Sequence, residues 1–173
     1  SSVLDLFDEA IRKFADKPAF SNFGKSLSFA RLDQLSHRFA SYLQELGGLT
    51  KGDRVAIMLP NLLQYPVVLF GILRAGLTVV NVNPLYTARE LEAQLKDSGA
   101  KAIIVLENFA GTLQKVLGNT SIEHVITSQV GDLLSAPKRW LMNFAVKRIK
   151  KLVPHWNIDG TTPLRNALER GKT

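Results

Sequence analysis

Residues 54–82 read RVAIMLPNLLQYPVVLFGILRAGLTVVNV. Val55 to Leu73 is a run of 19 uncharged residues, long enough on length alone to cross a bilayer. Pro60, Asn61, Gln64 and Pro66 interrupt it, and Pro60-Asn61 is a turn signal. The stretch therefore reads as a buried strand Arg54–Leu59, a turn, a buried helix reaching Ala75, and an apolar strand Leu77–Val82. Strands covered by helices on both faces are continuous apolar runs of this kind. Gly71 and Gly76 flank the helix end, where close packing and a C-cap account for them better than phosphate binding does.

Outward from this stretch the alternation continues. Thr87-Ala88-Arg89-Glu90 is a capping box for a helix carrying Leu91 and Leu95 and closing at Gly99. Lys101–Leu106 predicts a strand, Phe109 to Gly118 a helix, and Glu123–Thr127 another strand. On the N-terminal side, Val3, Leu4, Phe7, Ala10, Ile11 and Phe14 recur at helical spacing. Ala19–Phe23 and Ser26–Phe29 predict a hairpin about Gly24. Ser28 caps a helix whose apolar stripe runs from Leu32 to Leu46, with Gly47-Gly48 as its stop. The fold class is α/β, a largely parallel sheet flanked by helices, with a basic amphipathic helix near the C-terminus. Three segments are expected: 1–49 (helix, hairpin, helix), 50–131 (a βαβ core) and 132–173 (a basic helical segment).

The chain has 173 residues and a formal net charge of +7. Residues 1–136 hold 13 basic and 13 acidic side chains, whereas residues 137–173 hold nine basic and two acidic. The net charge is therefore confined to the last fifth of the chain. A uniformly basic nucleic-acid binder is not patterned this way, and no RNA-binding aromatic signature or helix-turn-helix pattern is present. One basic element on a neutral body points to a local anionic partner. On a helical wheel of Lys138–Val153, Leu141, Met142, Ala145, Val146, Ile149, Leu152 and Val153 share an arc expected to face the core. Trp140, Phe144, Lys147 and Lys151 stand opposite, flanked by Arg148 and Lys150. Aromatic rings beside lysines suit an anionic membrane interface. The alternative is a solvated helix face whose two rings a neighbouring loop covers.

Cysteine is absent, which excludes disulfides, thiolate metal sites and a cysteine nucleophile. His37, His124 and His155 are not at metal-ligand spacing, and no nucleophile elbow or P-loop occurs. Asp53 beside Arg54 reads as a surface pair. The chain opens Ser-Ser-Val, as expected of a processed or excised form, with no charged-then-apolar secretory segment before the first helix. The residues alone give no catalytic constellation.

Lys51-Gly52-Asp53-Arg54-Val55-Ala56, Met58-Leu59-Pro60-Asn61, Leu69-Phe70-Gly71-Ile72-Leu73-Arg74-Ala75-Gly76 and Val79-Val80-Asn81-Val82-Asn83-Pro84-Leu85-Tyr86-Thr87 follow in order, then Arg89-Glu90-Leu91. This ordered set resembles the N-terminal part of adenylate-forming acyl-CoA ligases, in particular the bacterial long-chain fatty-acid group. The resemblance covers nearly the whole chain. It implies the N-terminal subdomain of the adenylate-forming fold. It also implies, for a full-length enzyme, ATP, Mg2+ and coenzyme A acting on a long-chain fatty acid through an acyl-adenylate to acyl-CoA, AMP and pyrophosphate. A cytoplasmic enzyme, peripheral at the inner membrane face, is the implied setting. The family's Ser/Thr-Gly-rich phosphate loop, acidic magnesium ligand, ribose-binding aspartate and carboxylate-contacting lysine find no counterpart in these residues. No catalytic, cofactor-binding or metal residue is therefore expected here, no cofactor is expected to bind the chain alone, and the chain alone is expected to be inactive.

Two sets of residues remain as candidates. Asn83 and Tyr86 stand at a strand's carboxyl end, where open α/β sheets place ligands, and are candidates for a substrate crevice; turn and packing roles are the alternative. Trp140, Phe144, Lys147, Arg148, Lys150 and Lys151 are candidates for membrane contact. A stand-alone lipid- or fatty-acid-binding module is the second functional expectation, and a nucleic-acid-binding domain the third. Self-association is also expected, from apolar surface that the remainder of a longer enzyme would cover.

Overall fold

The computed structural model describes residues 2–149 and 152–172. Ser2 caps α1 (Val3–Phe14): its hydroxyl accepts from the Asp5 amide while the Asp5 carboxylate accepts from the Ser2 amide. β1 (Pro18–Asn22) and β2 (Lys25–Ser28) form the expected antiparallel hairpin. The Ser28 hydroxyl then caps α2 (Phe29–Glu45) by accepting from the Arg31 amide. The apolar stretch divides as its prolines dictate, into β3 (Arg54–Met58) and α3 (Gln64–Arg74). No described helix is long and apolar enough to cross a membrane.

β4 (Thr78–Asn81), α4 (Ala88–Ser98), β5 (Ala102–Leu106), α5 (Glu107–Gln114) and β6 (His124–Ser128) continue the alternation. Thr87 and Glu90 form the capping box of α4, and Gly99 closes that helix in the left-handed conformation. α6 (Ala136–Phe144) passes into a π-helical turn, Ala145–Ile149. Two elements were not expected from the sequence: β7 (Thr162–Pro163) and α7 (Leu164–Arg170).

The sheet has five parallel strands in the order β4-β3-β5-β6-β7. Side-chain alternation explains how it is covered on both faces. Val55, Ile57, Ala102, Ile104, Leu106 and Ile126 face a core built with α1, α2, α3 and α7. Ala56, Met58, Ile103, Val105 and Val125 face a second core built with α4 and α5. The Gly71 expectation of close packing holds. A Cβ there would lie 2.7 Å from Cδ1 and 2.9 Å from Cβ of the fully buried Phe39, so α3 sits directly on α2.

Two expectations are corrected. Asp53 and Arg54 do not pair with each other. Asp53 Oδ2 accepts from the Thr50 amide at 2.7 Å and from Lys101 Nζ at 2.9 Å, whereas Arg54 donates to the carbonyls of Ser98 and Gly99. Asp53 ends one strand's approach loop and Arg54 begins the strand, so pleating sends them apart. Nor do the described residues of Lys138–Val153 form one α-helix with a core face. The α-helical part ends at Phe144, and the π turn breaks the 100° periodicity on which the wheel rested. Leu141, assigned to the core arc, is 69% exposed, and α6 buries no residue fully.

Candidate functional site

The strand order reverses direction at β3. β4 was added on one side and every later strand on the other, so ligands of such sheets are expected outside the carboxyl ends of the strands near this switch. In this chain those ends are tied together by amide side chains, the buried Gln64 and the half-buried Gln129 and Asn143. Gln64, the first residue of α3 and 1% exposed, donates from Nε2 to the Gln129 carbonyl at 2.7 Å. That bond joins the loop after β3 to the loop after β6. Asp132 closes the second loop, its Oδ2 accepting from the Ser128 hydroxyl at 3.0 Å and the Gln129 amide at 2.8 Å. Burial pushes the Asp132 carboxyl above the ordinary carboxylate range. The Gln129 amide and Ser128 hydroxyl oppose that shift, Glu107 adds to it and Arg165 opposes it.

The same loop carries α6. Asn143 Oδ1 accepts from the Gly131 amide at 2.8 Å, and Asn143 Nδ2 donates to Gln129 Oε1 at 2.7 Å. Gln129 Nε2 in turn donates to Glu107 Oε1 at 3.0 Å. The chain Glu107–Gln129–Asn143 thus runs from the end of β5, through the end of β6, into α6. A Cβ at Gly131 would lie 2.8 Å from Asn143 Oδ1 and 3.0 Å from the Arg139 carbonyl, so only glycine admits α6 this close. Beneath α6 lies a crevice of about 380 Å³, lined by Glu107, Asp132, Arg139, Trp140, Asn143 and Arg165 among others.

The candidate residues fall into two separate places. Asn83 is exposed in the turn after β4, its Oδ1 accepting from the Leu85 amide at 3.0 Å. Tyr86 is half-buried and packs against the core on the α4–α5 side. Neither lines the crevice under α6, because β4 is an outer strand and α6 hangs from the loops after β5 and β6. Trp140 and Phe144 are 70% and 57% exposed, and Leu141 beside them is open to solvent as well. The Arg139 guanidinium stands 6.0 Å from the centre of the Trp140 ring. Lys147 and Arg148 are exposed, with Lys147 Nζ 4.0 Å from Glu107 Oε2. Lys150 and Lys151 lie outside the described residues. The sequence reading missed Glu107, Gln129 and Asn143. The one signal available was Asn143 itself, an uncharged polar residue inside an otherwise apolar and cationic helix.

A parallel sheet covered on both faces, with a polar crevice at the carboxyl ends of the strands, defines an α/β domain of the open-sheet class. Residues 7–164 match the family "AMP-binding enzyme", and the chain belongs to it. Over 171 residues the chain is 57% identical to a long-chain-fatty-acid–CoA ligase of Haemophilus influenzae, covering 99% of this chain and 30% of that protein. It is 40% identical to the Bacillus subtilis long-chain-fatty-acid–CoA ligase, covering 85% of this chain and 26% of that protein. The chain thus spans about a third or less of the length of the curated relatives it matches. Among solved structures it shares the fold of an anthranilate CoA ligase (TM-score 0.78, 17% identity, 99% of this chain and 28% of that one). It likewise shares the fold of a long-chain-fatty-acid-CoA ligase from Archaeoglobus fulgidus (TM-score 0.71, 23% identity, 97% of this chain and 29% of that one). The expected fold class and family resemblance are borne out. The expectation of a stand-alone lipid-binding module finds no support in these relatives.

Proposed function

We propose that this chain is the N-terminal part of a long-chain fatty acyl-CoA ligase. The whole enzyme would join a long-chain fatty acid to coenzyme A using ATP, releasing AMP and pyrophosphate. The observation that carries this reading is 57% identity sustained over 99% of the chain. Adenylation needs preorganised cations around the reacting phosphorus. Among the described residues no group of three or more His, Asp or Glu side chains is placed to hold a metal ion. The chain's part is to form one wall of the cleft and to carry α6. Incubated with palmitate, ATP, Mg2+ and coenzyme A, the purified chain is expected to yield no acyl-CoA; turnover free of host ligase would overturn that division of labour.

We also propose that α6 docks a cytoplasmic enzyme on the inner face of an anionic membrane. Trp140, Leu141 and Phe144 lie within five residues and are exposed together, with Lys138, Lys147 and Arg148 near them in sequence. Rings of this kind settle at headgroup depth while the cations meet lipid phosphates. Co-sedimentation with vesicles containing phosphatidylglycerol tests the proposal. The parent chain is expected to pellet, and a Trp140→Ala, Phe144→Ala variant to remain in solution. Equal sedimentation of the two would reject docking through α6. The same exposed rings also favour self-association of the chain in the absence of lipid, which a rise of weight-average mass with concentration would reveal.

A further inference from the structure

Four arginines from three different elements line one groove beside α6. Arg31 and Arg38 stand seven residues, about two turns, apart on α2, Arg139 is on α6, and Arg165 is on α7. The groove has a volume of about 240 Å³ and also takes in Leu133 and Leu134 from the loop that leads to α6. Two carboxylates border it. Asp132 is turned inward, bonded to the Ser128 hydroxyl and the Gln129 amide, and Glu169 pairs with Arg165 at 3.3 Å. Arg31 is held by Gln34 on its own helix. Among the described residues Arg38 Nε is buried with no hydrogen-bond partner.

The groove is continuous with the face already proposed to meet a membrane. Arg139 and Arg165 also line the crevice under α6, and the Arg139 guanidinium lies 6.0 Å from the Trp140 ring centre. With Trp140 and Phe144 at headgroup depth, the anionic groups nearest these guanidinium groups are lipid phosphates. A planar guanidinium donates two parallel N–H bonds to phosphate oxygens, which an ammonium does not. Arginine is the cation at all four positions, whereas lysine is mixed with arginine along the outer face of α6.

We propose that the groove between α2, α6 and α7 binds the phosphate of an anionic phospholipid headgroup. The proposal rests on the membrane reading of α6 and adds a headgroup site whose key residues lie outside that helix. It predicts that anionic preference depends on Arg38 and Arg165, which a docking surface confined to α6 would not need.

The test measures Trp fluorescence titrations of the 173-residue chain. Vesicles are of phosphatidylcholine alone, and of phosphatidylcholine with phosphatidylglycerol. The parent, Arg38→Gln, Arg165→Gln and the matching lysine variants are compared, each checked for an unchanged circular dichroism melt. Loss of one charge-assisted pair is expected to weaken binding to the anionic vesicles about tenfold, with binding to neutral vesicles unchanged. The lysine variants are expected to recover only part of the loss. Unaltered anionic preference in both glutamine variants, with the parent still binding, would overturn the headgroup site and leave docking through α6 standing. Absence of parent binding to either vesicle would overturn both. A third arm titrates inorganic phosphate by calorimetry without lipid. Submillimolar binding that Arg38→Gln abolishes, with vesicle binding independent of Arg38, would assign the groove to a soluble phosphate and reject the lipid.

Discussion

Arg74 is the only charged side chain between Arg54 and Arg89, and the structure gives it three tasks. Its Nη2 reaches Asp8 at 2.8 Å and Asp33 at 2.7 Å, its Nε donates to the Ser36 hydroxyl at 3.1 Å, and its guanidinium lies over the Phe7 ring. One residue thus pins α1, α2 and α3 together. Gly71, one turn earlier, sets how closely α3 can approach α2. Replacing it with alanine gains about 1 kcal/mol of helix propensity but drives a methyl into Phe39, which is fully buried and has nowhere to move. Overpacking costs about 1–3 kcal/mol, so Gly71→Ala is expected to lower the thermal midpoint; a rise would show that the two helices separate freely. Asp53 gives a pH signature. The Thr50 amide first, then Lys101, lower its carboxyl from 3.8 to about 2. A depressed carboxylate stabilises the fold above its unfolded pKa and loses that contribution as pH falls through the folded value. Urea midpoints of Asp53→Asn should therefore fall below the parent's at neutral pH. That gap should close as pH drops from about 4 towards 2. A gap independent of pH would show that the amide's packing, not the charge, matters.

At the scale of elements, α6 is the part least secured by its own sequence. It buries no residue fully, and Asn143 ties it to the loop after β6. Asn143→Ala leaves the Gly131 amide and Gln129 Oε1 without those partners, a loss of about 1–3 kcal/mol localised to α6. Hydrogen exchange is expected to accelerate across 136–149 and stay unchanged in β3 and β5; uniform acceleration would instead place Asn143 in the global core. The elements that the sequence revealed carry a local signal, either an apolar pattern set by burial or a cap. β3 and β5 are continuous apolar runs because helices cover both faces, and the α4 boundaries follow from Thr87, Glu90 and Gly99. Leu141 was misassigned because a wheel does not show whether a neighbour covers the arc: α6 hangs from the loop after β6 and leaves Leu141 in solvent. β7 is two residues long and exists only through pairing with Ile126 and Thr127, a contact without local periodicity. The hydrogen-bonded chain Glu107–Gln129–Asn143 was equally silent, since its members are 14 to 36 residues apart and meet only when the sheet forms.

At the scale of the whole molecule, charge and chemistry are segregated. The sheet and its helices are electrically balanced through residue 136, and the excess positive charge begins with α6. The carboxyl ends of β5 and β6 meet α6 through Glu107, Gln129 and Asn143, and the relatives are about three times as long as this chain. The proposed docking and cleft-forming role within a larger ligase is consistent with both facts. The direct measurement is a chimera in which this chain replaces the matching segment of the 57%-identical Haemophilus influenzae ligase. Its palmitoyl-CoA formation would be compared with that of the intact relative and of this chain alone. Thioester formation by the chimera is expected at a rate within about tenfold of the intact relative, allowing about 1.4 kcal/mol for imperfect packing at the new junction, and none by the chain alone. A folded chimera that makes no acyl-CoA would contradict the account.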